Sequence, residues 1–271
     1  MRVDKTLDEK LQVLKRLMRD MGKVAIAFSA GVDSTLLLSV AHDELGDDVL
    51  AVTTKSPSVP VREVVEAQEF CRSEGIRHVV VDTHEFDIEG FDRNPPDRCY
   101  ICKREIMSRI IETAAEHGFE TIAEGSNVDD EGDYRPGSRA VAEMRVRSPL
   151  REAGLTKADV RALAKARGLA AWDKPALACL NTRFAYGDRL IPERLVMVDE
   201  AERFLRNLGF SQVRMRYADG AARIEVLPNE IGRLVNPDTR SRVVDELKCL
   251  GFDNVLLDLQ GYRTGSMNNL R

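Results

Sequence analysis

The sequence predicts an α/β protein: a parallel sheet with helices on both faces, followed by a smaller α+β domain. Three observations carry this. Short apolar runs at 24–28, 49–53, 78–81 and 121–123 alternate with helix-length segments, the spacing of parallel strands joined by helical crossovers. The first run ends in a turn of small residues, Ser29, Ala30 and Gly31, that feeds straight into a helix. Beyond Gly187 the pattern changes to two alternating runs, 212–217 and 222–227, lying between helices. The domains are expected over 1–184 and 185–271.

Leu7, Leu11, Leu14, Leu17 and Met18 recur at helical spacing and place an amphipathic helix before the first strand. After the turn, a helix opens at Val32, Asp33 and Ser34 and continues through Leu36, Leu37 and Leu38. A strand feeding a helix through such a turn aims unpaired backbone N–H groups outward, with the positive end of the helix dipole behind them. That is a phosphate site. Ser29 and Ser34 add hydroxyl donors, and Asp33 is placed to hold magnesium against the same phosphates. Ala30 keeps the turn only if its φ is negative. No lysine follows the glycine, so this is not the G-x-x-x-x-G-K-[ST] loop, and γ-phosphoryl transfer is disfavoured.

The second strand (49–53) runs into the polar stretch Lys55–Ser58, and a helix follows over 61–74, with Cys71 read as packing. The third strand is 78–81. Pro95 and Pro96 then end regular structure, and Arg98, Cys99, Tyr100, Cys102 and Lys103 cluster immediately before a helix reaching about His117. A C-x-x-C at a helix N-terminus favours thiolates that react or bind metal, although one such pair is only half a site. The fourth strand (121–123) leads into Glu124, Gly125, Ser126 and Asn127. A polar loop follows that contains Asp129, Asp130, Asp133, Tyr134, Arg135, Pro136 and Gly137; it reads either as a second nucleotide-binding segment or as a solvated acidic loop. Residues 147–150 read as extended. Thr156 opens a helix ending at Gly168, with Leu163 and Ala164 on its apolar face.

Residues 172–183 have neither helical nor strand period. Cys179 lies there among small residues, with Lys174 and Arg183 nearby in sequence, as a reactive or metal-bound thiolate would. In the second domain, helices are expected over 193–208 and 239–250, strands over 212–217, 222–227 and 254–258, and a frayed tail over 265–271. Arg214 and Arg216 share a strand face; the pair reads either as a phosphate clamp or as an ordinary exposed face. Cys249, near a helix end, reads as core.

The totals bound the function classes. The chain has 271 residues, 43% apolar and 31% charged, as in a globular protein with a sizeable core. No apolar run approaches the roughly 20 residues of a membrane helix. The N-terminus is charged and lacks an apolar signal core, so a cytoplasmic location and no membrane partner are expected. A net charge of −5 argues against a broad nucleic-acid surface. Five cysteines, an odd number, make a disulfide framework unlikely as an organising principle and leave metal or catalytic roles open.

The S-[AG]-G-x-D-S pattern resembles the pyrophosphate loop (PP-loop) of the ATP pyrophosphatases, an adenine nucleotide alpha hydrolase-like fold. Three stretches together are more specific: FSAGVDS, PPDRCYICK, and WDKPALACLNTR followed by LGFSQVRMR. They resemble the LarE family, ATP-dependent sacrificial sulfur transferases that help build the nickel-pincer nucleotide cofactor, and the similarity spans nearly the whole chain. The resemblance implies a pyridinium biscarboxylate mononucleotide as substrate, with ATP and Mg2+ for adenylation. Cys179 would be the sulfur donor, left as dehydroalanine. It also implies a version in which Cys99, Cys102 and Cys179 hold a [4Fe–4S] cluster with one open iron, and the C-x-x-C pair in the expected active-site loop places that version first. Ser29, Ala30, Gly31, Asp33, Ser34, Gly125 and Arg98 form the expected cofactor-binding set, and Arg214 and Arg216 are added for substrate phosphate. The small domain would bind that phosphate or support a homo-oligomer, with a hexamer the suggested size. A tRNA thiolase and an ammonia-using synthetase of the NAD or GMP type, both of the same superfamily, remain open, as does a non-catalytic nucleotide-binding regulator.

Overall fold

The computed structural model describes residues 6–132, 136–175 and 178–263. Asp133, Tyr134, Arg135, Ala176, Leu177 and the tail expected to fray lie outside the described residues. The chain divides into two compact units. The first comprises Met1–Ser56, Val61–Asp87 and Asp97–Leu177; the second comprises Pro57–Pro60, Ile88–Pro96 and Ala178–Arg271.

The first unit is built on four parallel strands, β1 (Val24–Ala27), β2 (Val49–Lys55), β3 (Arg77–Asp82) and β4 (Thr121–Ala123), in the order β3-β2-β1-β4. Val24 is in register with Val49 on one side and Thr121 on the other. The winding reverses between β1 and β4, and ligands of such sheets bind at that reversal, beyond the strands' C-terminal ends. Helix α1 (Leu7–Met21) starts with a capping box, in which Thr6 and Glu9 satisfy each other's backbone amides. Helix α2 (Val32–Leu45) buries Leu36, Leu37, Leu38, Val40 and Ala41, so it is apolar on nearly every side and sits inside the core. Helices α1, α2 and α3 (Val61–Glu74) contribute to the core on one sheet face. The other face is covered by α4 (Arg98–Glu116), through Met107, Ile110 and Ala114, and by α5 (Pro136–Glu143), through Val141. Burial of each such aliphatic side chain contributes about 1.5–3 kcal/mol.

Two elements differ from expectation. Helix α4 begins at Arg98, so both cysteines of the C-x-x-C lie inside the helix rather than before it, Cys99 in the first turn and Cys102 at the start of the second. Asp97 is its N-cap, and the prolines at 95 and 96 stop just short of it. At 147–150 only Arg147 is extended, bridging Ala123; Pro149, pre-set for a first helical turn, then opens the short α6 (Pro149–Glu152). Helix α7 (Lys157–Ala166) has the expected Thr156 cap, with Asp159 completing a second capping box.

The second unit holds α8 (Pro192–Asn207), β5 (Val213–Ala218), β6 (Ala221–Val226), α9 (Ile231–Leu234), α10 (Pro237–Cys249) and β7 (Asn254–Leu257). Its sheet has the order β5-β6-β7, antiparallel then parallel. Leu195, Val198, Ala201 and Leu205 of α8 and Val243 and Leu247 of α10 are buried. Cys249, read as core from the sequence, is exposed: as the last residue of α10 it lies off the buried stripe set by Val243 and Leu247. None of the five cysteines is in a disulfide.

Candidate functional site

In the first unit, the turn after β1 is tied by its own hydroxyls. Ser34 Oγ donates to the Gly31 carbonyl at 3.2 Å, accepts from the Ser29 amide at 3.3 Å, and lies 3.2 Å from Ser29 Oγ. Gly31 is the N-cap of α2 and no side chain caps it, so the first amides of α2 keep the anion-binding character of an open helix start. Ala30 has a φ of +54°, a left-handed conformation, whereas the sequence reading required a negative value. An alanine there carries about 1–2 kcal/mol of strain. The Ala30 carbonyl accepts from Lys174 Nζ at 3.0 Å, and the same ammonium pairs with Glu66. Arg161 in turn donates to the Trp172 and Lys174 carbonyls at 2.7 and 2.8 Å, fixing the segment that carries Lys174. Under the loop, Thr53 Oγ1 donates to the Phe28 carbonyl at 2.8 Å.

The end of β4 closes on this turn. A Cβ at Gly125 would stand 2.9 Å from the Ser34 amide nitrogen and 3.2 Å from Asp33, so only glycine permits that approach. Asn127 Nδ2 donates to Asp33 Oδ1 at 3.0 Å, and Lys157 pairs with Asp33 Oδ2. Asp129 and Asp130, from the polar loop after β4, accept from backbone amides: Asp129 from Lys157 at 2.8 Å and Asp130 from Asn127 at 2.9 Å. Glu124 is buried, accepting from Ser148 Oγ at 2.6 Å and from Ser126 Oγ at 2.8 Å, with Lys103 3.9 Å away. Thus Ser29, Ala30, Gly31, Asp33, Ser34 and Gly125 come together.

Cys99 and Cys102 lie three apart on α4 and so share a face, both half-buried. Gly137 lets α5 approach α4, since a Cβ there would meet the Cys99 carbonyl at 3.3 Å. Tyr100 braces the pair of helices, donating to Glu143 at 2.7 Å under the Arg139 guanidinium. Arg98 is buried at the helix start.

The second unit holds Cys179 as the N-cap of the tight turn Leu180–Arg183, itself half-buried. Arg183 is buried and donates to the Ala178 and Cys179 carbonyls at 2.8 and 3.0 Å. Its other edge makes a two-pronged pair with Glu202 at 2.8 and 3.1 Å. Its guanidinium therefore grips the turn's backbone. Arg216 does the same from β5, donating to the Thr182 carbonyl at 2.8 Å while pairing with Glu225 at 3.1 and 3.0 Å. Ser58 and Asn181 lock the turn from the other end, through Leu180 N to the Ser58 carbonyl at 2.9 Å and Asn181 Nδ2 to Ser58 Oγ at 2.9 Å.

Arg214 and Arg216 are only 5% and 6% exposed, so the reading of an ordinary exposed strand face does not hold. Burial, with Arg183 beside it, pulls the Arg214 guanidinium down to about 10, still charged at neutral pH. Burial pushes the Glu202 carboxyl up, but Arg183, with Arg206 and Arg214, outweighs it and holds the group at about 2. Arg183 and Arg206 pair with Glu202, Arg216 and Arg223 pair with Glu225, and Arg214 lies in the field of Glu202, so arginines outnumber the carboxylates they share. Sequence reasoning missed Glu202 and Glu225, because a glutamate on an amphipathic helix or strand reads as surface. It also missed Lys157, whose position just after a helix cap carries no chemical signal.

Cys99 and Cys102 belong to the first unit and Cys179 to the second. Among the described residues, no group of three or more His, Cys, Asp or Glu side chains converges to hold a metal ion. Asp33, a single carboxylate at an open helix start, does fit magnesium, which is bound through one or two carboxylates and substrate phosphates.

No family model matches the chain. An uncharacterized protein of Synechocystis sp. is 40% identical over 264 residues, 97% of this chain and 98% of that protein. The argininosuccinate synthase of Natronomonas pharaonis is 31% identical over 164 residues, 56% of this chain and 40% of that enzyme, in keeping with the nucleotide-binding α/β fold. The pyridinium-3,5-bisthiocarboxylic acid mononucleotide synthase of Lactiplantibacillus plantarum is 39% identical over 266 residues, 97% of this chain and 95% of that enzyme. With that likeness running the length of both chains, over a pyrophosphate loop closed by Gly125 and a cysteine turn gripped by arginines, the chain belongs to the LarE family of sulfur transferases within the PP-loop ATP pyrophosphatase superfamily.

Proposed function

We propose that the protein is an ATP-dependent sulfur transferase that adenylates a carboxylate of a pyridinium biscarboxylate mononucleotide and replaces its oxygen with sulfur, in nickel-pincer nucleotide synthesis. The observation that carries this reading is the full-length likeness to a bisthiocarboxylic acid mononucleotide synthase. In this reading Ser29, Gly31 and Ser34, with the amides opening α2, bind ATP phosphates, and Asp33 holds magnesium, which would draw charge from the departing pyrophosphate. Gly125 lets the β4 end close on that loop. Arg214 and Arg216 supply the positive surroundings for the substrate phosphate.

The substrate carboxylate attacks the α-phosphorus, and pyrophosphate leaves. The Cys179 thiolate then attacks the carboxyl carbon of the mixed anhydride, and AMP leaves with the bonding pair. A base removes the Cys179 α-proton, the Cβ–Sγ bond breaks toward sulfur, and the products are a thiocarboxylate and dehydroalanine. A fixed backbone at Cys179 suits this sequence, because the thiol must be delivered and then its α-proton presented. A homo-oligomer, a hexamer as the specific size, and a cytoplasmic location complete the proposal; the described residues contain no helix long and apolar enough to cross a membrane.

The test is pyrophosphate and AMP release from ATP and Mg2+ with the pyridinium mononucleotide. The wild type is expected to release both and to form a thiocarboxylate. Cys179→Ser is expected to retain adenylation and lose the thiocarboxylate. Release that ignores the mononucleotide, or a thiocarboxylate made by Cys179→Ser, contradicts the reading. Turnover with ammonia in place of a thiol source would favour the synthetase alternative.

A further inference from the structure

Asp33 has two partners in the first unit. Its Oδ1 accepts from Asn127 Nδ2 at 3.0 Å, and its Oδ2 pairs with the Lys157 ammonium. Lys157 opens α7, where its own amide donates to Asp129 at 2.8 Å and a capping box fixes the helix start, so its side chain leaves from a rigid base. The Lys157 and Asp33 side chains are 34% and 21% exposed, which leaves water access for the pair to open.

We propose that Lys157 occupies the cation position on Asp33 until nucleotide arrives, so that magnesium enters with ATP rather than ahead of it. The inference rests on the ATP-using reading given above. An ammonium and a magnesium ion compete for the same carboxylate oxygen, and magnesium sheds its waters reluctantly. One carboxylate already neutralised by lysine offers a bare dication no net charge. The neighbouring acids cannot replace it: Asp129 and Asp130 are engaged with backbone amides, and no three acidic, His or Cys groups converge among the described residues. A triphosphate brings the missing charge. Asp33 would then hold the magnesium that comes with the triphosphate, and the Lys157 ammonium, based at the same helix start, would be released toward the phosphate oxygens. Lys157 is therefore a positioning residue that moves one positive charge from Asp33 to the phosphates as the metal arrives.

The experiment is a Mn2+ titration of the full chain, followed by electron paramagnetic resonance, with and without ATP or inorganic pyrophosphate. The wild type is expected to bind Mn2+ weakly alone and at least about tenfold more tightly with either phosphate ligand. Lys157→Gln is expected to bind Mn2+ without nucleotide about tenfold more tightly than the wild type, Lys157→Arg to match the wild type, and Asp33→Asn to erase the gain when added to Lys157→Gln. Equal Mn2+ affinity for wild type and Lys157→Gln without nucleotide, or a gain that survives Asp33→Asn, overturns the inference. If Lys157→Gln does not fold, the wild type alone decides: Mn2+ affinity that is the same with and without ATP overturns it. Calorimetry with ATP separates the two levels. A wild type that binds no ATP overturns the ATP reading as well, whereas ATP binding without any Mn2+ effect overturns only the exchange at Asp33.

Discussion

The turn at residues 29–31 and the turn at 179–183 are both short connections of mostly small or polar residues, yet they are held in opposite ways. The first is held lightly, by two serine hydroxyls, one lysine on a carbonyl and a glycine contact; its Ala30 is strained, and its Gly31 leaves the start of α2 without a side-chain cap. The second is clamped by two buried arginine–glutamate pairs whose guanidiniums grip backbone carbonyls, with Ser58 holding its Leu180 amide. A loop that receives a polyphosphate can leave its donors open, because the ligand satisfies them. A turn that presents a thiol must be rigid before the substrate comes, so that the sulfur is delivered in a fixed position.

The contrast can be broken at either end. The largest effect is expected from Cys179→Ser, with complete loss of the thiocarboxylate product by mass spectrometry while adenylation persists. Next comes Glu202→Gln. It leaves Arg183 and Arg206 short of a buried counter-charge, and removal of one partner of a buried pair costs about 3–5 kcal/mol, read as a lower urea midpoint. The same carboxyl gives a pH signature. Its native value of about 2 lies below the ordinary carboxyl value of about 4.5, so the unfolded chain binds the proton first. The stability it contributes is present above about pH 4.5 and is lost as pH falls from there toward 2. Acid unfolding monitored over that window should be flatter in Glu202→Gln than in the wild type.

Smaller effects belong to the phosphate loop. Gly125→Ala pushes a Cβ onto the Ser34 amide, and overpacking of this kind costs about 1–3 kcal/mol. Calorimetry should show weakened ATP binding in that variant, with the unfolding of the second unit unchanged. Ala30→Gly sharpens the comparison most gently. Relief of about 1–2 kcal/mol of left-handed strain outweighs the roughly 0.4–1 kcal/mol of chain entropy that glycine adds to the unfolded state. A small rise in thermal midpoint follows; a fall would show that the alanine is not strained.

The α/β plan was legible because periodicity and small-residue turns are local: β1, the loop, α2, α3, and the Thr156 cap all stand where the pattern put them. The strand–turn–helix at residues 24–45 was legible for the same reason, since its residues lie close together in the chain. Cys179 stood out by its setting in an aperiodic stretch. What was not legible depends on partners far apart in the chain. Asp33 meets Lys157 across 124 residues, and Ser58 meets Asn181 across 123. The sign of φ at Ala30 is set by how the loop packs, not by alanine itself. Arg183 was read as a neighbour of the thiol, but the pull of buried Glu202 turns it toward the backbone.

The most direct measurement is the intact mass of the protein, purified without oxygen, before and after one round of ATP, Mg2+ and the pyridinium mononucleotide, with iron and sulfide assayed on the same sample. The account predicts a loss of about 34 Da located at Cys179, one equivalent of thiocarboxylate, and no iron requirement. About four irons per chain with an unchanged polypeptide mass after turnover would contradict Cys179 as the consumed donor and restore the three-cysteine cluster.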